Sequence, residues 1–246
     1  MQSVERYLVR ETDRQVLLLD PPFRRSENHP GYIQGYPAGV RENGGQYTHA
    51  ALWVAQAVAR LGDGQGAVRL LQMLNPVERA RTPEEVGRYQ GEPYVIAADV
   101  YGSQGRVGKC GWSWYTGSAG LFYRIWIEEV LGFQLRGDRL SLEPQLPPDW
   151  PEYTLIYRHG RTEYEITVKS PVTGMEESLE VDGRQQKGRT FKLNDDGARH
   201  SARLQLGHTT EDAAGPDGKT KRETSRRVTS LQPAERVSAL RSESDR

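Results

Sequence analysis

Apolar residues recur at helical spacing in the first half of the chain and at alternate positions in the second. Between residues 48 and 61, Ala51, Leu52, Ala55, Val58 and Ala59 fall on one face, which is the period of an amphipathic helix. Thr48 stands where an N-cap belongs, and Gly62 where the helix should stop. A second helix is predicted from about Gln65 to Leu74, ending before Pro76. A third follows Thr116, with Leu121, Phe122, Ile125, Trp126, Glu129 and Val130 in sequence and Gly132 at the C′ position. Residues 1–20 are mixed, and their apolar run Val16 to Leu19 reads as either strand or helix. Two long stretches carry no period. One is 21–47, from Pro21-Pro22 to Gly44-Gly45; the other, rich in Gly, Trp and Tyr, separates the second and third helices. Connections of this length inside a compact domain are usually functional, or a sign that an element has been misassigned.

After Gly132 the period changes to two. Short β-branched or alternating runs cover Arg139 to Glu143, Tyr153 to Arg158, Thr162 to Lys169, Ser178 to Val181, Thr190 to Leu193 and His200 to Leu206. Tyr164, Ile166 and Val168 share one strand face. Asp182-Gly183 and Asp196-Gly197 are hairpin-type turn signals. The pattern predicts an antiparallel β-sandwich. From His208 to Arg246 there are seven acidic and eight basic residues and no Phe, Tyr or Trp. Such a segment buries too little apolar surface to offset its ordering entropy, so it reads as a disordered tail. The resulting fold class is α+β and multidomain: helices in 1–133, a β-sandwich in 134–207 and the tail in 208–246. Three or four helices do not close a bundle, and their Gly-rich connections look like the active-site loops of a larger helical toroid.

Charge and composition narrow the function. The 33 basic residues balance the 33 acidic ones, which gives no case for nucleic acid or an anionic membrane as partner. One cysteine, Cys110, excludes a disulfide within the chain. No apolar run approaches the ~18 residues a membrane span needs, and the charged start has no signal-peptide core. The histidines His29, His159, His200 and His208 show no metal-ligand spacing, and His159 is placed in a turn.

Two clusters carry candidate chemistry. In the first, running from Gly35 to His49, Arg41, Glu42, Asn43 and Gln46 sit on glycine-rich backbone, which allows close approach to a ligand. These side chains suit bidentate hydrogen bonding to sugar hydroxyls or oxyanions. His49 lies near a helix start, where free N–H groups and the dipole favour an anion. The alternative is a polar loop with a solvated Arg–Glu pair and a structural histidine. The second cluster runs from Gly111 to Gly120. Thr116 and the amides of Gly117 and Ser118 suit a phosphate, while Trp112, Trp114 and Tyr115 suit the C–H face of a sugar. An ordinary N-cap with core aromatics is the competing reading. Glu92 and Asp99 add carboxylates between the clusters, as an acid–base pair, as structural carboxylates or as acceptors for sugar hydroxyls.

At these clusters the chain resembles glycoside hydrolase family 94. The segments "DPPF", "HPGYIQGYPAGVRENGGQYTHAALW", "LLQMLNPVERARTPEEVGRYQGEPYVIAADVY" and "GWSWYTGSAGLFYRIWIEEVLGF" are similar to the end of that family's catalytic domain, most of all to the version in cyclic β-1,2-glucan synthases. The likeness runs from about residue 7 to 207. It implies the C-terminal helices of an (α/α)6 toroid followed by a β-sandwich, and a role in inverting phosphorolysis of β-glucosides. Inorganic phosphate would be the co-substrate, with no cofactor and no metal. By motif, His49, Thr116 and Gly117 would bind phosphate, and Arg41 and Glu42 would line the sugar site. The family's catalytic Asp belongs to a motif upstream of these segments. Asp13 and Asp20 do not match it, so the expectation is a carbohydrate-active fragment without its general acid, inactive alone. The alternative is a non-catalytic sugar-binding or structural subunit completing a split enzyme. Expected partners are a β-glucan or β-glucoside oligosaccharide, phosphate and the N-terminal part of the barrel. The expected location is the cytoplasm, or the soluble part of an inner-membrane protein.

Overall fold

The computed structural model describes residues 1–24, 29–114 and 117–207. Thr116 and the expected tail from 208 lie outside the described residues. A short helix α1 (Gln2–Tyr7) leads into the antiparallel pair β1 (Val9–Arg10) and β2 (Gln15–Val16), so the Val16 run begins as strand. A 3-10 turn over Gly31–Gly35 and a short strand β3 (Gln46–Tyr47) punctuate the first Gly/Pro-rich stretch.

Helix α2 (Thr48–Arg60) buries Ala51, Leu52, Ala55, Val58 and Ala59, the face its spacing predicted. Its cap differs from the expectation. Tyr47 is the N-cap and makes no side-chain cap, while Thr48 is the first helical residue. The reason is that β3 runs straight into the helix. The Thr48 N–H is already bonded to the Ala98 carbonyl at 2.9 Å, and its buried hydroxyl accepts from Gln46 Nε2 at 3.2 Å. Helix α3 (Gly64–Leu74) is capped by Asp63, whose Oδ1 accepts from the Gly66 N–H at 2.7 Å.

The second irregular stretch contains a helix that the apolar pattern did not give, α4 (Pro83–Tyr89). A Thr82/Glu85 capping box and Pro83 in the first turn start it, a local signature independent of any apolar stripe. A short strand β4 (Asp99–Val100) then pairs antiparallel with β3. Helix α5 (Ser118–Arg124) continues as a π turn over Ile125–Val130, where the Leu131 N–H reaches back five residues to the Trp126 carbonyl at 2.9 Å. Helices α2 and α3 and the α5–π segment share one core with Val9 and Val16, in which Leu52, Leu70, Leu71 and Ile125 are fully enclosed. Each such side chain contributes about 1.5–3 kcal/mol by leaving water.

Eight strands follow: β5 (Phe133–Arg136), β6 (Arg139–Leu142), β7 (Glu152–His159), β8 (Thr162–Lys169), β9 (Ser178–Val181), β10 (Arg184–Gln186), β11 (Thr190–Lys192) and β12 (Arg199–Gln205). They form a three-stranded sheet, β11-β6-β5, and a five-stranded sheet, β10-β9-β12-β8-β7. Both sheets contribute to one core. Leu140, Leu142 and Phe191 come from the first, and Tyr164, Ile166, Val168, Leu179, Ala202 and Leu204 from the second. His159 is the last residue of β7, paired with Thr162 across a tight turn.

One pairing departs from the antiparallel expectation: β12 runs parallel to β8, Ala202 opposite Ile166 and Leu204 opposite Val168. β12 follows β11 of the other sheet, so it enters by crossing between sheets rather than through a hairpin, and a crossover permits the parallel direction. Buried Thr162 fixes the entry point, its hydroxyl accepting from the amides of Asp196 and Gly197 at 2.8 Å each. The described residues thus form a mixed α+β fold with five α-helices and mostly antiparallel sheets.

Helices and sheets meet along a tight seam. Trp126 and Trp150 stack with ring centroids 6.2 Å apart and planes at 6°. The Tyr153 hydroxyl donates to the Leu131 carbonyl, and the Glu143 N–H donates to the Gly132 carbonyl at 2.8 Å. Among the described residues, no helix is long and apolar enough to cross a membrane, and no cluster of His, Cys, Asp and Glu could hold a metal ion.

Candidate functional site

The first sequence cluster is a stitched loop. Asn43, fully buried, serves three backbone groups. Its Nδ2 donates to the carbonyls of Phe23 and Tyr36 at 2.9 and 2.8 Å, and its Oδ1 accepts from the Phe23 N–H at 2.7 Å. Gly39 packs against the chain after β4. The Gly102 N–H donates to the Gly39 carbonyl at 2.8 Å, and a Cβ on Gly39 (φ +82°) would lie 2.4 Å from Ser103 N. No other residue type fits that approach.

This anchoring holds Arg41 at φ +49°, a left-handed backbone unusual for a non-glycine residue. Its guanidinium lies over the Trp112 ring, 4.2 Å from the centroid, and faces Tyr36 at 5.4 Å. Arg41 Nε and Glu42 Oε2 are 3.8 Å apart. Both atoms are buried and neither has a hydrogen-bond partner. Leaving such groups unmet costs about 1–3 kcal/mol each.

The second cluster is brought to the first by β4. β3 and β4 pair with Tyr47 opposite Asp99, and residues 110–112 run along the other side of β4. There the Ala98 N–H donates to the Trp112 carbonyl at 2.6 Å and the Gly111 N–H to the Asp99 carbonyl at 2.9 Å. The Asp99 side chain is 1% exposed, and its Oδ1 accepts the Trp112 N–H at 3.0 Å. Burial raises its pKa, opposed by the Trp112 amide and by the nearby charge and main-chain N–H of Arg41. Asp99 Oδ2 is also buried and makes no hydrogen bond of ordinary geometry. Sequence reasoning set Asp99 between the clusters as one of several carboxylates; nothing in the spacing indicated that it bridges them.

The other expected site residues are placed as follows. His49 is the second residue of α2, half-buried, with its ring edge-on to Trp53 at 5.2 Å. The first turn of α2 has no side-chain cap. Gly117 is the exposed N-cap of α5, also without a side-chain cap, and a Cβ there would meet nothing within 4 Å. Helices α2 and α5 pack against each other. Trp114 is turned away from Arg41's stack: it is exposed, lies edge-on to Tyr94 and donates from Nε1 to Glu92 at 2.9 Å. Glu92 is thereby a surface acceptor, its pKa lowered by its own amide, Trp114 and Ser113. Asp20 is paired with Arg10 at 2.7 Å. Cys110 is buried and its thiol pKa is pushed up by burial, which makes it a poor nucleophile.

Comparison with known proteins gives the lineage. Residues 1–132 match the model of the glycosyl hydrolase 94 superfamily catalytic domain. The cyclic beta-(1,2)-glucan synthase NdvB of Rhizobium meliloti is 47% identical over 168 residues, covering 68% of this chain and 6% of that protein. Solabiose phosphorylase of Paenibacillus borealis is 28% identical, covering 77% of this chain and 25% of its own length. The 1,2-beta-oligoglucan phosphorylase of Listeria innocua is 26% identical, covering 59% and 14%. The chain therefore spans a quarter or less of each of these relatives. With more than half of its length on the catalytic-domain model, this chain belongs to glycosyl hydrolase family 94.

Proposed function

We propose that this chain provides a sugar- and phosphate-binding portion of a glycan phosphorylase acting on β-linked glucans. The observation that carries the proposal is the Arg41–Glu42 ion pair beside the Trp112 ring, whose two facing atoms make no hydrogen bond. Polar groups without hydrogen bonds call for an explanation; here the two side chains are partly exposed, and an aromatic ring beside two such groups is the chemistry that holds a sugar. In this reading Arg41 and Glu42 bind sugar hydroxyls. His49, with Gly117 at the start of α5 and Thr116 before it in sequence, binds inorganic phosphate, which helix starts favour. Residues 1–133 are proposed as helices of an (α/α)6 barrel, 134–207 as the accompanying β-sandwich. The names of relatives that make or phosphorolyse β-1,2-glucans favour that linkage. No residue of this chain is assigned the proton donor's role, so binding rather than turnover is the activity expected of it.

The test is calorimetry with a β-1,2-linked gluco-oligosaccharide and with inorganic phosphate. Arg41→Ala and Glu42→Ala should each weaken oligosaccharide binding by roughly tenfold or more, the loss of about one charge-assisted hydrogen bond. His49→Ala should weaken phosphate binding and spare the sugar. Unchanged phosphate affinity in His49→Ala would remove that residue from the site. Release of glucose 1-phosphate by the purified chain would show that it holds its own proton donor.

A further inference from the structure

Asp99 is a buried carboxylate set between the two loops of the site. Its Oδ1 is committed to the Trp112 N–H at 3.0 Å. The carboxylate also sits against the Gly111 backbone, where a Cβ would lie 2.3 Å from Oδ1 and 2.5 Å from Oδ2, so a larger residue at 111 would push the carboxylate aside. On the far side, β4 carries the loop of Arg41 through the Gly39–Gly102 hydrogen bond, and the Arg41 guanidinium stacks on the ring whose amide Asp99 holds. Arg41 has a strained left-handed backbone and an unmet Nε. A side chain so placed holds its orientation only if its surroundings over-determine it. Asp99, 1% exposed, holds the Trp112 main chain on one side and faces the charge and main-chain N–H of Arg41 on the other.

We propose that Asp99 is the positioning residue of this site, acting through Arg41 and Trp112 to aim the guanidinium at the ligand without touching the ligand itself. The inference rests on the sugar-binding reading given above for what Arg41 does, but not for where Arg41 is held. Burial of the carboxylate beside a cation accords with it. An Asp that merely filled space or capped a strand would lack any influence on Arg41.

Asp99→Asn separates the two, because the amide keeps shape and can still accept the Trp112 N–H. The ligand-free readout is the Arg41 Nε–Hε resonance in the full chain, assigned by its disappearance in Arg41→Lys and displaced by the ring current of Trp112. It should move toward the position of an unstacked arginine in Asp99→Asn while the melting temperature holds. The second readout is a binding cycle with the β-1,2-linked disaccharide sophorose. Asp99→Asn should weaken binding roughly tenfold in the wild-type background, equivalent to about 1.4 kcal/mol, and have no effect in Arg41→Ala. An unmoved Arg41 signal, or an equal loss in both backgrounds, overturns the proposal. If wild-type protein does not bind sophorose, the functional reading falls and the resonance alone decides the role of Asp99. If Asp99→Asn does not fold, the wild-type protein supplies the measurement. The Arg41 Hε shift should then follow protonation of the Asp99 carboxylate, read from its carboxyl-carbon resonance and distinguished from Glu42 and Cys110, the other ionisable groups that face it; an Hε shift that ignores that step overturns the proposal.

Discussion

The seam between helices and sheets should be intolerant of a single methyl group at Gly132. This residue ends the α5–π segment at φ +69°, and a Cβ built on it would lie 2.1 Å from both Glu143 C and Pro144 N and 2.5 Å from Glu143 O. All three are backbone atoms of the segment that follows β6, so no flexible side chain can move aside. Two penalties therefore add in Gly132→Ala. The left-handed backbone costs an alanine roughly 1–2 kcal/mol, and forcing a methyl into filled space costs about 1–3 kcal/mol more. Gly137 isolates the first: it sits in the β5–β6 turn at φ +61° with nothing within 4 Å of its Cβ position. Urea unfolding followed by tryptophan fluorescence should place Gly137→Ala about 1–2 kcal/mol below wild type and Gly132→Ala about 2–5 kcal/mol below, with similar m-values. The near-ultraviolet circular dichroism of the Trp126–Trp150 stack should weaken in Gly132→Ala alone. Equal losses in the two variants would show that the seam gives way without cost and that its close contact is not a constraint.

Three further outcomes are expected. Thr162→Val leaves the amides of Asp196 and Gly197 without their acceptor in a part-buried turn and should cost about 1–3 kcal/mol by the same denaturation; a neutral result would mean another acceptor replaces the hydroxyl. Asn43→Asp points an acceptor at the Phe23 and Tyr36 carbonyls that Nδ2 now serves; it should destabilise by about 3 kcal/mol and weaken sophorose binding further than any exposed substitution in the same loop. His200 has its pKa raised above 6.5 by its hydrogen bond to Asp182, then by Asp196. A raised pKa stabilises fully below the unfolded value and is lost as pH rises through the folded one. Thermal melts from pH 6 to 8 should therefore show a larger fall for wild type than for His200→Gln, and parallel curves would count against the Asp182–His200–Asp196 network.

Much of the architecture was legible because it rests on local pattern. The buried face of α2 is the set of residues its spacing selected, and the core face of β8 is Tyr164, Ile166 and Val168. The Asp182-Gly183 signal became the turn between β9 and β10, with both residues at positive φ. What was not legible depends on partners distant in sequence. α4 has no continuous apolar stripe, only its capping box. β5 and β10 are short and hold through their neighbours. The parallel direction of β12 is set by where β11 leaves the other sheet, which no property of residues 199–205 encodes.

The same division runs through the site. Residue types in the Arg41 and Trp112 clusters named a chemistry, but spacing along the chain cannot say that two segments about seventy residues apart face one another. Two residues of strand decide it. Asp99-Val100 carries no strand signature of its own, yet it lies between Gln46-Tyr47 on one side and residues 110–112 on the other. The cation of one cluster thus meets the ring of the next. This placement also explains why a carboxylate stands at that position of β4. A β-branched apolar residue there would pack the strand better, but it could not accept the Trp112 amide or balance the Arg41 charge. Local strand propensity and site geometry pull in opposite directions at residue 99, and such conflicts between levels are where function is expected to sit.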